Sequence, residues 1–282
     1  MPYTEVDFLI TPCEPWRDLL MVELMELDYE GFEETAFGLK AYVENTKFNE
    51  RVLGRLMVLR DPHAKVNYTV RELPEVNWNA RWESEFQPVE VEGKVRIRAE
   101  FHPAKGGFIH DIVITPRMAF GTGHHATTRM MVRSMLHHPV KGQRVCDLGC
   151  GTAVLAILAE QMGAAEVLAI DHDPLAVENA RHNVAINRCK RVIVEKGGTG
   201  LGKGAGFGTI LANIERNTLI NAMADMVAAL APGGSLLLSG FIMGDAALMD
   251  EAATRHGLKK VQDLNDGEWA FSRWEKPAAQ AK

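Results

Sequence analysis

Hydrophobic and polar positions follow two different periods along the first 73 residues. Residues 3–11 alternate apolar with polar side chains, and residues 32–43 and 65–73 are also predicted to be extended. Apolar side chains recur at helical spacing over residues 12–27 and 48–59, which predicts two amphipathic helices. Helices that alternate with strands in this way indicate a small α+β domain, with helices on one face of a sheet.

Pro74 interrupts this pattern. Residues 75–86 place Trp78 and Trp82 four positions apart on one face of a predicted connecting helix, where packing is a simpler role for the two rings than stacking on a nucleobase. Extended pieces follow up to residue 114, on both sides of a turn-rich segment. We therefore expect a linker helix and bridging strands over residues 74–115.

From residue 116 onward, short apolar runs alternate with helical patterns, as in a parallel sheet that is buried on both faces. The predicted parallel strands are residues 144–148, 166–170, 191–196, 209–213 and 235–239. Two further extended segments, 258–264 and 269–274, flank the turn Asn265-Asp266-Gly267 and predict a terminal antiparallel hairpin. The predicted fold class is α/β, with a Rossmann-like sheet of seven strands over residues 116–276 and a disordered tail at 277–282.

Composition narrows the class of protein. The 282 residues suffice for about two domains, and no apolar run of about 18 residues is present that would span a membrane. The N-terminus lacks the basic flank and the apolar core of a signal peptide. Cys13, Cys146, Cys150 and Cys189 form no C-x-x-C pair and no zinc ligand set, so we expect reduced thiols in a cytoplasmic protein without a bound metal.

The charge is unevenly distributed. Residues 1–72 contain 14 acidic and 8 basic side chains, and their balance of −6 equals the formal net charge of the whole chain. An acidic first domain argues against binding to a phosphate backbone and is compatible with a basic protein partner that is attracted electrostatically. A solvated acidic surface that only aids solubility is the alternative.

The candidate ligand-binding residues lie between Gly142 and Asp171. This segment is predicted to form a strand, a glycine-rich turn, a helix and a second strand that ends in an acidic residue. Gly149 and Gly151 allow the backbone to approach a ligand closely, and Asp171 ends the second strand, where a carboxylate accepts hydrogen bonds from a ribose diol. A dinucleotide site would need a third glycine, and Asp147 would repel a pyrophosphate but attract a cationic amine. The pattern resembles motifs I and II of class I S-adenosylmethionine-dependent methyltransferases.

Asn213 is the candidate catalytic residue. It ends the fourth predicted parallel strand, and in a doubly wound sheet the ligand and the chemistry lie beyond the carboxyl ends of the strands. Its side-chain carbonyl is suited to accept a hydrogen bond from an attacking amine. The alternative is that Asn213 caps the helix that is predicted to begin at Asn217.

The segment 116–129 holds further candidates. Thr127 and Thr128 are suited to begin a helix. His124 and His125 precede them, but adjacent side chains rarely converge on one metal ion. An ordinary loop with a helix N-cap is therefore the alternative to a functional histidine pair.

Three pieces of the chain form a distinctive set: FGTGHHATT, CDLGCGTAVLAI with LAIDHDPLAVENARHNVAIN, and LANI followed by PGGSLLLSGF. Together they resemble the bacterial PrmA family, the methyltransferases of large-subunit ribosomal protein L11. The resemblance extends over residues 116–274, and before residue 73 it is one of layout, because that family carries a small α+β substrate-recognition domain. It implies transfer of methyl groups from S-adenosylmethionine to protein amines, both lysine side chains and an N-terminal α-amine.

By motif position, the resemblance implies four cofactor-binding residues: Thr128, Gly149, Asp171 and Asn213. The FGTG loop and the glycine turn add four residues that we expect to contact the cofactor: Phe120, Gly121, Asp147 and Gly151. Two positions depart from the family pattern. Ala126 stands where proline is usual, which is expected to loosen the loop, and Ala153 stands where glycine is usual, which is compatible with a helix start.

The expected partner is a large-subunit ribosomal protein, bound as substrate by a monomer that does not bind nucleic acid directly. One alternative is a methyltransferase of the same fold that acts on RNA or a small molecule. An RNA enzyme would usually show N-P-P-[YF] at the fourth strand end, where Asn213 is here followed by Ile214 and Glu215. The other alternative, a non-catalytic S-adenosylmethionine-binding module, is disfavoured by the intact motifs.

Overall fold

The chain forms two compact units. The structure, a computed structural model, describes residues 2–73, 86–115, 123–138, 140–202 and 204–278. Contacts divide the chain into a first unit, Met1–Phe86, and a second unit, Gln87–Lys282. The predicted connecting helix with Trp78 and Trp82 lies outside the described residues, apart from its last residue, as do residues 279–282 of the predicted tail. No helix in the described ranges is long and apolar enough to cross a membrane.

The first unit combines one antiparallel sheet with three helices among its described residues. Its elements are β1 (Tyr3–Thr11), α1 (Trp16–Met25), β2 (Gly31–Thr35), β3 (Gly38–Glu44), α2 (Glu50–Leu53), α3 (Met57–Arg60) and β4 (Lys65–Leu73). The strands lie in the order β2-β3-β1-β4. Val6, Phe8 and Ile10 alternate along β1 and share one hydrophobic core with Leu20 and Leu24 of α1, as predicted for an α+β unit.

Two predictions for residues 12–43 of this unit are wrong. The helix predicted over 12–27 is the shorter α1. The single extended segment predicted over 32–43 is a hairpin, because the chain turns between β2 and β3. Gly38 makes this hairpin fit against β1, since a Cβ at this position would overlap with the carbonyl oxygen of Phe8.

The helix predicted over 48–59 is also wrong, because two short helices, α2 and α3, occupy this range. The Glu23 carboxylate of α1 accepts hydrogen bonds from the backbone N–H groups of Met57 at 2.8 Å and Val58 at 3.2 Å. A side chain from another element therefore supplies partners for the first N–H groups of α3, and the helix begins anew there.

The second unit is built on a seven-stranded sheet. Its elements after residue 123 are α4 (Ala126–His137), β8 (Arg144–Leu148), α5 (Val154–Gln161), β9 (Glu166–Asp171), α6 (Pro174–Ile186), β10 (Val192–Lys196), β11 (Phe207–Asn213), α7 (Arg216–Ala229), β12 (Leu230–Ile242), a 3₁₀ turn (Met243–Asp245), α8 (Ala246–Arg255), β13 (Lys259–Asp266) and β14 (Trp269–Glu275). The strand order is β10-β9-β8-β11-β12-β14-β13, parallel up to β12 and antiparallel at β14 and β13. The predicted α/β sheet with a terminal hairpin is confirmed.

Both faces of this sheet are covered, which explains why its strands are continuous apolar runs. Leu211 belongs to one hydrophobic cluster, and its neighbours Ile210 and Ala212 belong to another. Successive side chains of a strand point to opposite faces, so the two clusters lie on opposite sides of the sheet.

Three further strands form a separate sheet in the second unit: β5 (Val89–Val91), β6 (Val95–Ala99) and β7 (His110–Ile114). The sequence predicted them as a bridge between two domains. Ile97 and Ile112 instead share a core with Met131 of α4 and Leu155 of α5. Alternation along the chain predicts a strand, but it does not determine which core the strand joins.

The sheet reverses its winding direction between β8 and β11. These two strands are neighbours, although β9 and β10 separate them along the chain. The chain winds outward from β8 through β9 to β10, and in the other direction from β11 to β12. The loops after β8 and β11 therefore meet at the switch point, where open α/β sheets bind ligands.

Candidate active site

The glycine turn joins β8 to α5. Gly149 and Gly151 have φ angles of +71° and +52°, which glycine adopts without a steric penalty. The backbone N–H groups of Gly149 and Cys150 donate hydrogen bonds to the carbonyl oxygen of Ile170, at 2.8 and 2.9 Å. These bonds hold the turn against the end of β9.

Ala153 closes this turn in the left-handed conformation, with φ +61° and ψ +22°. A residue with a Cβ carries a penalty of about 1 kcal/mol there, which the family's usual glycine avoids. The replacement is compatible with a helix start, as expected, because α5 begins at Val154. The strain at Ala153 is a feature that sequence analysis missed.

Asp171 supports the glycine turn from the end of β9. Its Oδ2 atom accepts a hydrogen bond from the backbone N–H of Gly151 at 2.9 Å, and its Oδ1 atom accepts one from Asp173 at 3.0 Å. A carboxylate oxygen has two acceptor sites, so Oδ2 retains one for a ligand, whereas Nδ1 of His172 lies 3.4 Å from Oδ1. The carboxylate predicted to bind ribose thus also orders the turn that carries Gly151.

Asp147 is a buried carboxylate below the same turn. Only 2% of the residue is exposed, and its Oδ2 atom accepts a hydrogen bond from the backbone N–H of Ala156 at 3.0 Å. Burial raises the pKa of Asp147 to about 7; the hydrogen bond from Ala156 opposes this rise, and the negative charge of Asp171 adds to it. A positively charged ligand group would stabilise the ionised form.

Asn213 ends β11 beside α4. Its Nδ2 atom donates a hydrogen bond to Oγ1 of the buried Thr128, at 3.4 Å. The N-cap of α7 is Glu215, whose carboxylate accepts hydrogen bonds from the N–H groups of Asn217 at 3.0 Å and Thr218 at 3.1 Å. The capping alternative for Asn213 is therefore wrong.

The adjacent histidines contact different partners. His125 is the N-cap of α4: its Nδ1 atom accepts a hydrogen bond from the N–H of Thr127 at 3.4 Å, and its ring meets Trp269 edge-on with centroids 4.5 Å apart. His124 places Nε2 at 2.8 Å from the carbonyl oxygen of Gln87. These contacts favour the N-cap interpretation over a shared metal ion.

A cleft opens at the switch point. Eight described residues line it: Thr128, Asp147, Gly149, Cys150, Gly151, Val154, Leu155 and Asn213. Among the described residues this cleft is open to solvent. The structure therefore brings five of the predicted residues together. Asp171 lies next to this lining through its bond to Gly151, and Phe120 and Gly121 lie outside the described residues.

Sequence analysis missed two groups at this site. Cys150, Val154 and Leu155 add apolar surface to the cleft, but in the sequence they are indistinguishable from the core positions of a buried helix. The second group is a pair of asparagines that the chain-wide pattern did not single out: Asn183 inside α6 and Asn187, the C-cap of this helix.

These asparagines connect α6 to distant backbone. The buried Asn183 accepts a hydrogen bond from the N–H of Thr115 at 2.8 Å and donates one to the carbonyl oxygen of Thr152 in the glycine turn at 3.0 Å. Asn187 bonds both the N–H and the carbonyl of Val113, at 2.9 and 2.6 Å. Asparagine is unfavourable inside a helix, so Asn183 within α6 was an available signal.

The residues present fit S-adenosylmethionine. Its positively charged groups suit the buried Asp147, whose pKa is raised in the absence of a cation. Its ribose hydroxyls suit the acceptor site that Oδ2 of Asp171 retains. Val154 and Leu155 supply apolar surface of the kind that small-molecule sites require.

Comparison with known proteins gave concordant matches. A family model described as ribosomal protein L11 methyltransferase (PrmA) matches residues 18–276. A ribosomal protein L11 methyltransferase from Phocaeicola vulgatus is 37% identical over 274 residues, which cover 96% of this chain and 98% of that protein. One from Porphyromonas gingivalis is 38% identical over 260 residues, covering 91% and 90%. A crystal structure of ribosomal protein L11 methylase from Lactobacillus delbrueckii subsp. bulgaricus is similar in fold, with a TM-score of 0.60, 23% identity, and coverage of 68% of this chain and 100% of that chain.

Proposed function

Because the chain belongs to the ribosomal protein L11 methyltransferase (PrmA) family, we propose that it transfers methyl groups from S-adenosylmethionine to amines of ribosomal protein L11. The proposed acceptors are lysine side chains and the N-terminal α-amine. This proposal rests on one observation: Asn213 and Thr128 are hydrogen-bonded and line the same cleft as the glycine turn, at the switch point of the sheet.

Thr128, Asp147, Asp171 and the glycine turn would hold the cofactor. S-adenosylmethionine supplies a methyl group on a positively charged sulfur, so this group needs no further activation by an acid or a metal. The task left to the protein is to place a neutral amine in line with the methyl group and to hold it there. Val154 and Leu155 line the cleft and give it apolar surface.

Asn213 would orient the accepting amine. Its Nδ2 atom donates to Thr128, which directs the Oδ1 atom to act as the acceptor for an amine N–H. A lysine in water has a pKa of about 10.4, so the neutral amine is scarce at pH 7. Removal of the amine from water in the cleft favours the neutral form.

The first unit would recognise the ribosomal protein. Residues 1–72 carry a net charge of −6, and a protein that binds ribosomal RNA must present basic surface. On α1, Val22 and Met25 are 58% and 53% exposed, and exposed apolar residues of this kind mark contact surfaces. We place the reaction in the cytoplasm, catalysed by a monomer that makes no direct contact with nucleic acid.

The experiment is methylation of ribosomal proteins extracted from cells that lack this enzyme, with labelled S-adenosylmethionine and mass analysis of the labelled band. We expect methyl groups on amines of ribosomal protein L11. Asn213→Ala should lower kcat about 100-fold, well beyond any loss of cofactor affinity, because orientation of the amine is lost. Asn217→Ala, an exposed asparagine four residues later, is the control and should keep full turnover.

Other outcomes would reject the proposal. Label in RNA or in a small molecule would indicate a methyltransferase of the same fold with another substrate. Tight binding of S-adenosylmethionine without label in any fraction would indicate a non-catalytic binding module. Equal turnover of Asn213→Ala and the wild-type protein would remove Asn213 from the mechanism.

A further inference from the structure

Ile214 directly follows Asn213 and lies between two glycines: Gly149 in the turn after β8 and Gly240 in β12. On the β8 side, a Cβ at Gly149 would overlap with Cγ2 of Ile214 and lie 3.6 Å from its Cβ. On the β12 side, a Cβ at Gly240 would overlap with the carbonyl oxygen of Ile214 and lie 2.8 Å from its carbonyl carbon and 3.0 Å from its nitrogen. One glycine thus makes room for the side chain of Ile214, and the other for its backbone.

Gly240 is the extra residue of a β-bulge in β12. Ser239 pairs with Phe271 and Phe241 pairs with Ala270, so no residue of β14 lies opposite Gly240. Its φ angle is +98°, which a residue with a side chain rarely adopts. Isolated glycines inside strands mark bulges or close approaches of backbone, and Gly240 is both.

The bulge lies where β11 ends. The parallel pairing of β11 with β12 stops at Asn213 and Ser239, and the next residue on each strand is Ile214 and Gly240. The close approach therefore acts on the backbone one residue after Asn213. A Cβ at Gly240 would require the carbonyl carbon of Ile214 to move by about 0.6 Å to reach an ordinary contact of 3.4 Å.

A movement of this size is large compared with what the hydrogen bond of the Asn213 side chain can tolerate. Its hydrogen bond to Thr128 is already 3.4 Å long, and a further displacement of this size would break it. We propose that Gly240 is a positioning residue, which holds Asn213 in its reactive orientation by leaving space for the backbone of Ile214. This inference rests on the proposed function, in which Asn213 orients the accepting amine.

The test compares two glycine variants in the same strand. Gly240→Ala introduces the overlap, whereas Gly233→Ala is a matched control: Gly233 has a φ of +77°, and nothing lies within 4 Å of a Cβ added there. Both variants place a side chain in the left-handed conformation, so both should lower Tm. Only Gly240→Ala should lower kcat on ribosomal protein L11, by about 100-fold, while Gly233→Ala should stay within about twofold of wild type.

A double variant separates positioning from general destabilisation. In an Asn213→Ala background, Gly240→Ala should lower kcat by less than about threefold, because the residue that it positions is absent. Gly240→Asn serves if Gly240→Ala does not fold, because asparagine tolerates a positive φ better than alanine and brings the same Cβ against the backbone of Ile214. It should also lower kcat in the wild-type background and change kcat by less than about threefold in the Asn213→Ala background.

Equal kcat values for the two glycine variants would overturn the inference. It would also be overturned if Gly240→Ala lowered kcat by the same factor in the wild-type and in the Asn213→Ala background. The wild-type protein is the reference for the proposed function. If wild type does not methylate ribosomal protein L11, the proposed function fails, and the inference falls with it. If wild type is active and Gly240→Ala matches Gly233→Ala, only the inference fails.

Discussion

Replacement of Asp147 by asparagine tests whether this buried carboxylate receives a cation. Asparagine keeps the shape and the acceptor for the 3.0 Å hydrogen bond from Ala156, but it carries no charge. Burial raises the pKa of Asp147 to about 7 from an ordinary value of 3.8. A pKa that is higher by about 3 corresponds to about 4 kcal/mol in the balance between the ionised and the protonated form.

The effect on stability follows from this difference. Above about pH 4 the unfolded chain releases the Asp147 proton, whereas the folded chain retains it until about pH 7. The folded state binds more protons in this window, so the stability of the ligand-free protein falls as the pH rises. Asp147→Asn should therefore be more stable than wild type by up to about 4 kcal/mol at pH 8, and the advantage should vanish near pH 4. Urea unfolding from pH 4 to pH 8 measures it.

Cofactor binding should favour the ionised form of Asp147, whereas folding of the ligand-free protein favours the protonated form. A bound cation favours the ionised carboxylate, so the affinity of wild type for S-adenosylmethionine should fall by up to about tenfold per pH unit below pH 7. Asp147→Asn should bind more weakly at pH 8 and show little dependence on pH. Isothermal titration calorimetry gives both values. The reasoning is refuted if variant and wild type share the same pH profile of stability and of affinity.

Three further predictions concern the supports of the site and the substrate surface. Asn183→Ala should lower Tm and also weaken cofactor binding measured by calorimetry, because it removes a hydrogen bond of about 1 kcal/mol to a carbonyl of the glycine turn. Asn187→Ala should lower Tm alone, and equal affinities of the two variants would contradict this. His125→Asn keeps an N-cap acceptor and should retain turnover, whereas His125→Ala should lose about 1 kcal/mol of stability in urea unfolding. An inactive His125→Asn variant would instead favour an acid–base role for His125. Val22→Lys should raise KM for the ribosomal protein without changing cofactor affinity, and an unchanged KM would exclude this face of α1.

The seven-stranded sheet was predictable because local and tertiary preferences agree in it. Its parallel strands are buried on both faces, so each is a short continuous apolar run bounded by turn residues. The first unit was less predictable in detail. The division of residues 48–59 into two helices depends on hydrogen bonds that Met57 and Val58 donate to the carboxylate of Glu23, which is far away along the chain.

The sequence by itself determined the order of strands and helices from residue 144 onward, the glycine turn at Gly149, and the location of Asn213 at a strand end, because these depend on residue type and short-range spacing. Only the tertiary structure decided that Glu215 rather than Asn213 caps α7, and that Asn183 supports the turn. It also decided that Ile214 lies between Gly149 of the glycine turn and Gly240 of β12. Each of these features is a contact whose geometry is set by packed elements, and hydrophobic periodicity carries no information about such contacts.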